Sequence, residues 1–206
     1  MELFQQNVKA ALDRLSAIRI VPVLVLDNLE DGLKMCSVLQ EKQLPAAEIT
    51  FRTEAAESVI RAAAKEFPGL YLGAGTVLNV RDLHRAFDAG AKFAVAPGFN
   101  PTVVKEAVKC GFPFAPGVCT PSEAEQAMEL GCTFLKSLIA PYKHLGVRFM
   151  PTGGVTSANA ADYLAVPEIA AVGGTWLGKT ADMRAGNWDA IGQAVADAVA
   201  LVRSLA

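Results

Sequence analysis

Residues 112–131 read FPFAPGVCTPSEAEQAMELG, and this stretch decides the fold. It begins with a short apolar run, Phe112–Pro116, passes through a small loop, and continues as an amphipathic stretch with apolar residues near i, i+3 and i+4 spacing. Thr120 is a helix-capping residue type, Pro121 suits the first helical position, and Gly131 suits a left-handed turn after a helix. The stretch therefore predicts a strand followed by a helix.

The same unit recurs along the whole chain. Eight apolar runs are strand candidates: Arg19–Leu26, Ala47–Arg52, Tyr71–Thr76, Phe93–Pro97, Phe112–Pro116, Thr133–Lys136, Val147–Pro151 and Ala170–Gly174. Six amphipathic stretches are helix candidates: Leu29–Lys42, Ala55–Glu66, Val80–Ala89, Pro101–Cys110, Ser122–Leu130 and Asn187–Ser204. Alternating strands and helices are typical of the α/β class. Eight units predict a TIM (β/α)8 barrel that forms a single domain over residues 1–206.

Composition excludes a membrane protein. Hydrophobic residues make up 52% of the 206 residues and the mean hydropathy is +0.30, yet the longest apolar stretch, Ile18–Leu26, is too short to span a bilayer and contains Arg19. The charges near the N terminus do not follow the order of a signal peptide. We expect a cytoplasmic protein with no membrane partner, in which the apolar excess fills strands buried on both faces.

Charge and cysteine usage exclude other classes. The net charge is −2 and the basic residues are scattered, so we expect no nucleic-acid partner. The four cysteines have no CxxC spacing and only two histidines accompany them, which argues against a zinc site and against a disulfide framework. We expect buried thiols, a reducing compartment, no metal and no cofactor.

One connection is shorter than a barrel needs. Only residues 137–146 separate the strand candidate that ends at Lys136 from the one that begins at Val147. A parallel crossover normally takes about a dozen residues or more. Two explanations stay open: the barrel has a shortened sixth unit, or the natural chain carries residues between Lys136 and Ser137 that this sequence lacks.

Charged residues fall in or at the end of two apolar strands. Alternation puts Glu48, Thr50 and Arg52 on one face of the second strand, and Lys136 closes the sixth. A buried carboxylate is costly unless it is paired or functional, and a desolvated lysine amine can attack a carbonyl to form a Schiff base. The alternatives are a structural Glu48–Arg52 ion pair and a lysine that reaches solvent. Glu48 and Lys136 together favour an enzyme with imine and enamine chemistry.

Paired glycines lie at the C-terminal ends of the last two strands. Gly153 and Gly154 lie after the seventh strand candidate, and Gly173 and Gly174 end the eighth, just before Thr175. The corresponding loops of TIM barrels commonly bind phosphate through backbone N–H groups. The two pairs predict an anion site at this end of the barrel, although glycine also makes ordinary tight turns.

Six segments in the same order resemble the 2-keto-3-deoxy-6-phosphogluconate (KDPG) aldolase family, which includes the 4-hydroxy-2-oxoglutarate (KHG) aldolases. The resemblance covers nearly the whole chain and is carried by residues 48–53 (EITFRT), 73–77 (GAGTV), 96–98 (APG), 116–121 (PGVCTP), 134–136 (FLK) and 151–155 (PTGGV). It implies a metal-independent class I aldolase, typically a homotrimer, that cleaves KDPG reversibly to pyruvate and glyceraldehyde 3-phosphate.

The resemblance also implies the role of each site residue. Lys136 would form the Schiff base and Glu48 would be the general acid and base. The pyruvyl carboxylate would bind to Arg52 and Thr76, with Pro97 shaping the pocket. The substrate phosphate would bind to Gly153, Gly154, Gly173, Gly174 and Thr175.

The chain departs from the family pattern directly after Lys136. Family members continue there with a Phe-Pro-containing, Gly-rich loop and the start of a helix, whereas this chain continues with Ser137-Leu138-Ile139-Ala140-Pro141, which resembles the end of that helix. A true deletion would leave Lys136 misplaced or equivalent to a later lysine of the helix. Two other functions therefore stay open: a phosphate-binding barrel enzyme such as an isomerase, and a catalytically silent homo-oligomeric scaffold.

Overall fold

A computed structural model describes residues 1–136 and 145–205 and contains eight short parallel strands, each inside or overlapping a predicted one. They are β1 (Ile20–Leu24), β2 (Ala46–Thr50), β3 (Tyr71–Gly75), β4 (Phe93–Val95), β5 (Phe114–Ala115), β6 (Phe134–Leu135), β7 (Arg148–Phe149) and β8 (Val172–Gly174). Six of them form one sheet in the order β5-β4-β3-β2-β1-β8, and β6 pairs with β7.

Single bridges join these two sheets into a closed barrel. Lys136 lies opposite Gly117, and its N–H donates to the Pro116 carbonyl at 3.0 Å. On the other side Thr152 lies opposite Gly173, whose N–H donates to the Pro151 carbonyl at 2.9 Å. The ring is therefore continuous, all strands run the same way, and their C-terminal ends meet at one mouth. The predicted TIM barrel is confirmed.

Helices cover the outside of the barrel. They are α1 (Glu2–Ile18), α2 (Leu29–Glu41), α3 (Ala56–Glu66), α4 (Val80–Asp88), α5 (Pro101–Cys110), α6 (Pro121–Glu129), α7 (Ala160–Leu164), α8 (Thr180–Arg184) and α9 (Trp188–Ser204), with a 3-10 turn at Thr175–Leu177. The predicted capping at Thr120 is confirmed, because its side chain accepts from the Glu123 N–H while the Glu123 carboxylate accepts from the Thr120 N–H. Gly131 adopts the predicted positive φ, and Gly111 does the same at the end of α5.

The first helix, α1, was not among the predicted helices. It lies at the end of the barrel opposite the mouth, where Asn7 Nδ2 donates to the Gly111 carbonyl at 2.7 Å and Met1 packs beside Gly131. Both glycines precede strands, so α1 covers the N-terminal ends of β5 and β6. A search for units that start with a strand misses this helix, although Phe4, Val8 and Leu15 have helical spacing and are buried.

The core is apolar, as predicted for a barrel whose strands are covered on both faces. Every residue of β1 and β2 is buried, and Glu48 and Thr50 are the buried polar residues in the described part of the chain. None of the described helices is long and apolar enough to cross a membrane. The predicted short connection falls mostly on residues 137–144, which lie outside the described residues, so it stays a prediction.

The prediction for the cysteines was wrong for two of the four. Cys36 and Cys132 are buried, and burial raises the pKa of each thiol to about 12. Cys119 is exposed because it lies in the loop at the mouth, and Cys110 is half-buried because it ends helix α5 on the outside of the barrel. All four thiols are free.

Candidate active site

Glu48 lies inside the barrel with its carboxylate buried. Its side chain is only 1% exposed, and Oε2 has no hydrogen-bond partner. Burial raises the pKa of Glu48 above the ordinary value of 4.5, and the positive charges of Lys136 and Arg52 partly offset this effect. Burial thus favours the protonated form of this carboxyl group, as in carboxylic acids that act as general acids.

The neighbouring strand makes room for this carboxylate. A β-carbon placed on Gly75 would lie 2.1 Å from Glu48 Oε1, which no real side chain could tolerate. Thr50 secures the other side of β2, since its hydroxyl donates to the Leu24 carbonyl of β1 at 2.9 Å. Sequence reasoning missed the role of Gly75, although the Gly-Ala-Gly run of β3 is the signal that could have revealed it.

Lys136 directly follows β6, at the C-terminal end of the barrel. Its backbone is fixed on both sides, because its N–H donates to the Pro116 carbonyl and its own carbonyl accepts from the Val118 N–H at 3.2 Å. The side chain is half-buried and close enough for its charge to lower the pKa of Glu48. The structure thus brings the predicted amine and carboxylate to the same mouth.

Arg52 is not on the strand face where alternation places it. Strand β2 ends at Thr50, and Arg52 lies in the following turn, exposed to solvent, because Phe51 is the last residue whose N–H donates to the neighbouring strand, at Gly75. The structure does not support a Glu48–Arg52 ion pair. Instead, Arg52 Nε donates to Thr76 Oγ1 at 3.1 Å.

Thr76 has a backbone conformation that β-branched residues rarely adopt. Its φ is 59°, in the left-handed region, directly after β3 ends at Gly75. This conformation turns the chain sharply at the mouth, and the hydroxyl then meets the Arg52 guanidinium. Such strain often marks functional positions, and here it puts a hydroxyl and a cation where a carboxylate could bind.

Pro97 follows β4 at the same mouth and contacts the next loop. A β-carbon on Gly117 would lie 2.2 Å from the Pro97 carbonyl oxygen, so the two loops can approach this closely only because Gly117 has no side chain. The exposed Pro97 thus forms part of the rim beside Lys136, which pairs with Gly117.

The glycine loops differ in whether their backbone N–H groups are accessible to an anion. Gly153 and Gly154 are exposed and have positive φ values of 84° and 72°, and Thr175 is exposed at the start of the 3-10 turn. Gly173 and Gly174 are buried in β8. The Gly173 N–H already donates to the Pro151 carbonyl, so it cannot also serve a phosphate.

The two glycines of β8 instead permit close packing. A β-carbon on Gly173 would lie 2.2 Å from Thr152 Cγ2, and one on Gly174 would lie 2.5 Å from the Trp176 ring. The Gly173 N–H is therefore already paired, and phosphate binding by Gly153, Gly154, Gly173, Gly174 and Thr175 as a set stays a prediction.

Comparison with known proteins identifies the family. The model of the family "KDPG and KHG aldolase" matches residues 12–194. This chain belongs to the KDPG and KHG aldolase family. It is 37% identical to the 2-dehydro-3-deoxy-phosphogluconate aldolase of Haemophilus influenzae, over 93% of this chain and 96% of that protein. It is also 37% identical to the KHG/KDPG aldolase of Escherichia coli, over 87% and 90% of the two chains.

A solved member of the family has the same fold. The KDPG aldolase of Legionella pneumophila, whose crystal structure captured pyruvate as a covalent carbinolamine, is 30% identical and superposes with a TM-score of 0.82. The match covers 88% of this chain and 95% of that one.

The alignments with these relatives contain positions that this chain lacks. The alignment with the H. influenzae protein spans 206 positions but takes in 93% of this 206-residue chain, about 192 residues, so about 14 positions have no residue here. The alignment with the E. coli protein spans 194 positions and takes in 87% of the chain, about 179 residues, which leaves about 15 such positions.

Proposed function

We propose that this protein is a class I aldolase that cleaves KDPG reversibly to pyruvate and glyceraldehyde 3-phosphate, with KHG as a second substrate cleaved to pyruvate and glyoxylate. The observation that carries the proposal is a half-buried lysine and a fully buried carboxylate at one barrel mouth, within electrostatic reach of each other. Membership of the family supports the reaction type.

Lys136 provides the covalent step. Its neutral amine attacks the C2 carbonyl of the keto acid to give a carbinolamine, which loses water to give an iminium ion. The electron pair of the C3–C4 bond then moves toward the iminium nitrogen, the bond breaks, and an enamine of pyruvate remains on Lys136. Arg52 and Thr76 hold the substrate carboxylate so that C2 faces the amine.

Glu48 moves the protons of the reaction. As a carboxylate it takes the proton from the C4 hydroxyl when the C3–C4 bond breaks, and as a carboxylic acid it returns a proton to C3 of the enamine. Water then hydrolyses the imine and releases pyruvate. The raised pKa of Glu48 suits a group that must hold a proton in one step and give it up in the next.

Gly153, Gly154 and Thr175 bind the substrate phosphate in this proposal. Their exposed position at the ends of β7 and β8 supports it. The proposal further includes a single barrel domain with a shortened connection after Lys136, a homotrimer in the cytoplasm, and a role in the Entner–Doudoroff pathway. Light scattering of the purified protein tests the trimer, which requires three times the chain mass of 21.7 kDa.

The experiment for the activity is pyruvate release from KDPG and from KHG, measured for the natural protein and for Lys136→Met. We expect turnover that Lys136→Met reduces by at least about a thousandfold, because the covalent route is lost. Lys105→Met is the matched control, since Lys105 is exposed on helix α5, and it should keep full activity. Equal turnover by the Lys136 variant would refute the proposal.

The missing alignment positions favour a second candidate, a folded barrel without turnover. If these positions fall after Lys136, the loop that follows the lysine in the family is shortened here. The site would then lack the residues with which that loop lines it. Normal folding and trimer formation with no pyruvate release from either substrate would support this candidate over the aldolase.

A further inference from the structure

Helices α4 and α5 bring three metal-ligand side chains together on the outside of the barrel. The donor atoms of His84, Glu106 and Cys110 all lie within 4.8 Å of one another. His84 Nε2 is 3.3 Å from Glu106 Oε1, and Cys110 Sγ is 3.6 Å from the same oxygen. These residues take no part in the chemistry proposed at the mouth, since Cys110 ends α5 beside the N-terminal side of β5.

The fold fixes this trio in advance. Glu106 and Cys110 are four residues apart on α5 and therefore share one helix face. His84 is on α4. Phe87 of the same helix forms a T-shaped contact with Phe112, just after α5, with ring centroids 5.2 Å apart. A metal ion would thus meet donors whose backbones are already held at the required separation.

We propose that His84, Glu106 and Cys110 form a binding site for a borderline-soft divalent transition metal, with zinc as the expected ion. Imidazole nitrogen, carboxylate oxygen and thiolate sulfur are the zinc ligands found in proteins, and a water molecule would complete a tetrahedron. Donors about 2.0–2.3 Å from a tetrahedral metal are roughly 3.3–3.8 Å apart. The His84–Glu106 and Glu106–Cys110 separations fall in this range, and the His84–Cys110 separation is within 4.8 Å. The bound ion links α4 to α5 and has a structural role.

The surrounding charges set how tightly the metal binds. Zinc binds the thiolate form of cysteine, so binding releases the thiol proton of Cys110 to solvent. Lys109 Nζ lies 3.4 Å from both oxygens of Glu106 and competes with the ion for them. Lys109→Gln should therefore bind the metal more tightly.

Sequence spacing alone argues against this site, because the known zinc-binding patterns place several ligands within one segment of the chain. Here the ligands come from two helices that the barrel places side by side, so no CxxC or similar pattern exists. The site is also separate from the aldolase proposal, which needs no metal.

Titration of the full-length protein with Co²⁺ tests the site, followed by competition with Zn²⁺. We expect a thiolate-to-cobalt charge-transfer band that Zn²⁺ abolishes, and an apparent Zn²⁺ dissociation constant that rises at least about tenfold in His84→Ala and Cys110→Ser. Cys119→Ser is the matched control, because Cys119 is an exposed thiol at the opposite end of the barrel, and it should keep the band.

A band that persists in Cys110→Ser, a band lost in Cys119→Ser, or no band at saturating Co²⁺ would each overturn the proposal. Tighter binding by Lys109→Gln is an independent check that does not depend on a ligand variant folding correctly, and unchanged or weaker binding there would count against the site. Pyruvate release should be the same with and without a chelator, so failure of this site and failure of the aldolase proposal can be told apart.

Discussion

The Gly75 backbone lies directly against the carboxylate of Glu48, so closely that a β-carbon there would be 2.1 Å from Oε1. Gly75→Ala should therefore displace the carboxylate from its position inside the barrel. We expect kcat/KM for KDPG to fall at least about tenfold, and the free energy of unfolding to fall by about 1–3 kcal/mol from overpacking.

Gly69→Ala is the control, because nothing lies within 4 Å of a β-carbon at that site, and it should leave both quantities unchanged. Normal kcat/KM in Gly75→Ala would show that the position of Glu48 does not matter.

Glu48→Gln should remove turnover and stabilise the fold at the same time. Because burial raises the pKa of Glu48, its contribution to stability is fully present below the ordinary value of 4.5 and is lost as the pH rises through the raised value. Glutamine avoids this loss. We expect the variant to gain little stability at about pH 4 and progressively more as the pH rises above 4.5, measured by chemical unfolding.

Glu54→Gln provides the comparison for that experiment, since Glu54 is an exposed carboxylate near the mouth. Its stability difference from the natural protein should not change in the same way with pH. A pH-independent gain for Glu48→Gln would contradict the account of a buried acid with a raised pKa.

Arg52→Lys should weaken binding of the keto acid. A lysine has no Nε to donate to Thr76 and cannot form the planar, two-pronged contact with a carboxylate. Loss of one charge-assisted hydrogen bond corresponds to an increase of about tenfold to a hundredfold in the KM for KDPG, with a smaller change in kcat. The same substitution at the exposed Arg81 should leave KM unchanged. If both variants behave alike, Arg52 has no special role.

Thr120→Ala should lower stability without altering the chemistry. The Thr120 side chain accepts the Glu123 N–H and completes a reciprocal cap at the start of α6. Removing it should cost about 1 kcal/mol of unfolding free energy, while Ser122→Ala in the same turn should change it by less than about 0.5 kcal/mol. Thermal unfolding of the two variants measures the difference, and equal stability would show that the cap contributes nothing.

Much of the barrel could be predicted from sequence because strands and caps are local signals. All eight strands were found, and the Thr120 cap and the Gly131 turn were located from residue type and spacing alone. Lys136 and Glu48 stood out for the same reason, as charges within apolar runs. Local patterns cannot show where a strand stops. The alternating pattern therefore predicted that Arg52 belongs to β2, which ends two residues earlier.

Contacts between segments distant in sequence were not predictable in this way. The approach of Gly75 to Glu48 depends on how β2 and β3 pair, with Thr50 opposite Gly75. The use of the Gly173 N–H by the Pro151 carbonyl depends on the closure of the barrel between β7 and β8. In both cases the local sequence does not show that close packing leaves no room for a side chain at the glycine.

The central claim is that Lys136 forms a Schiff base, and mass spectrometry of the intact protein tests it most directly. The protein is incubated with pyruvate, reduced with borohydride, weighed and then mapped by peptide digestion. The account predicts a gain of one reduced pyruvate per chain, located on Lys136 and absent in Lys136→Met. An unchanged mass of 21.7 kDa, or an adduct on any other lysine, would contradict it.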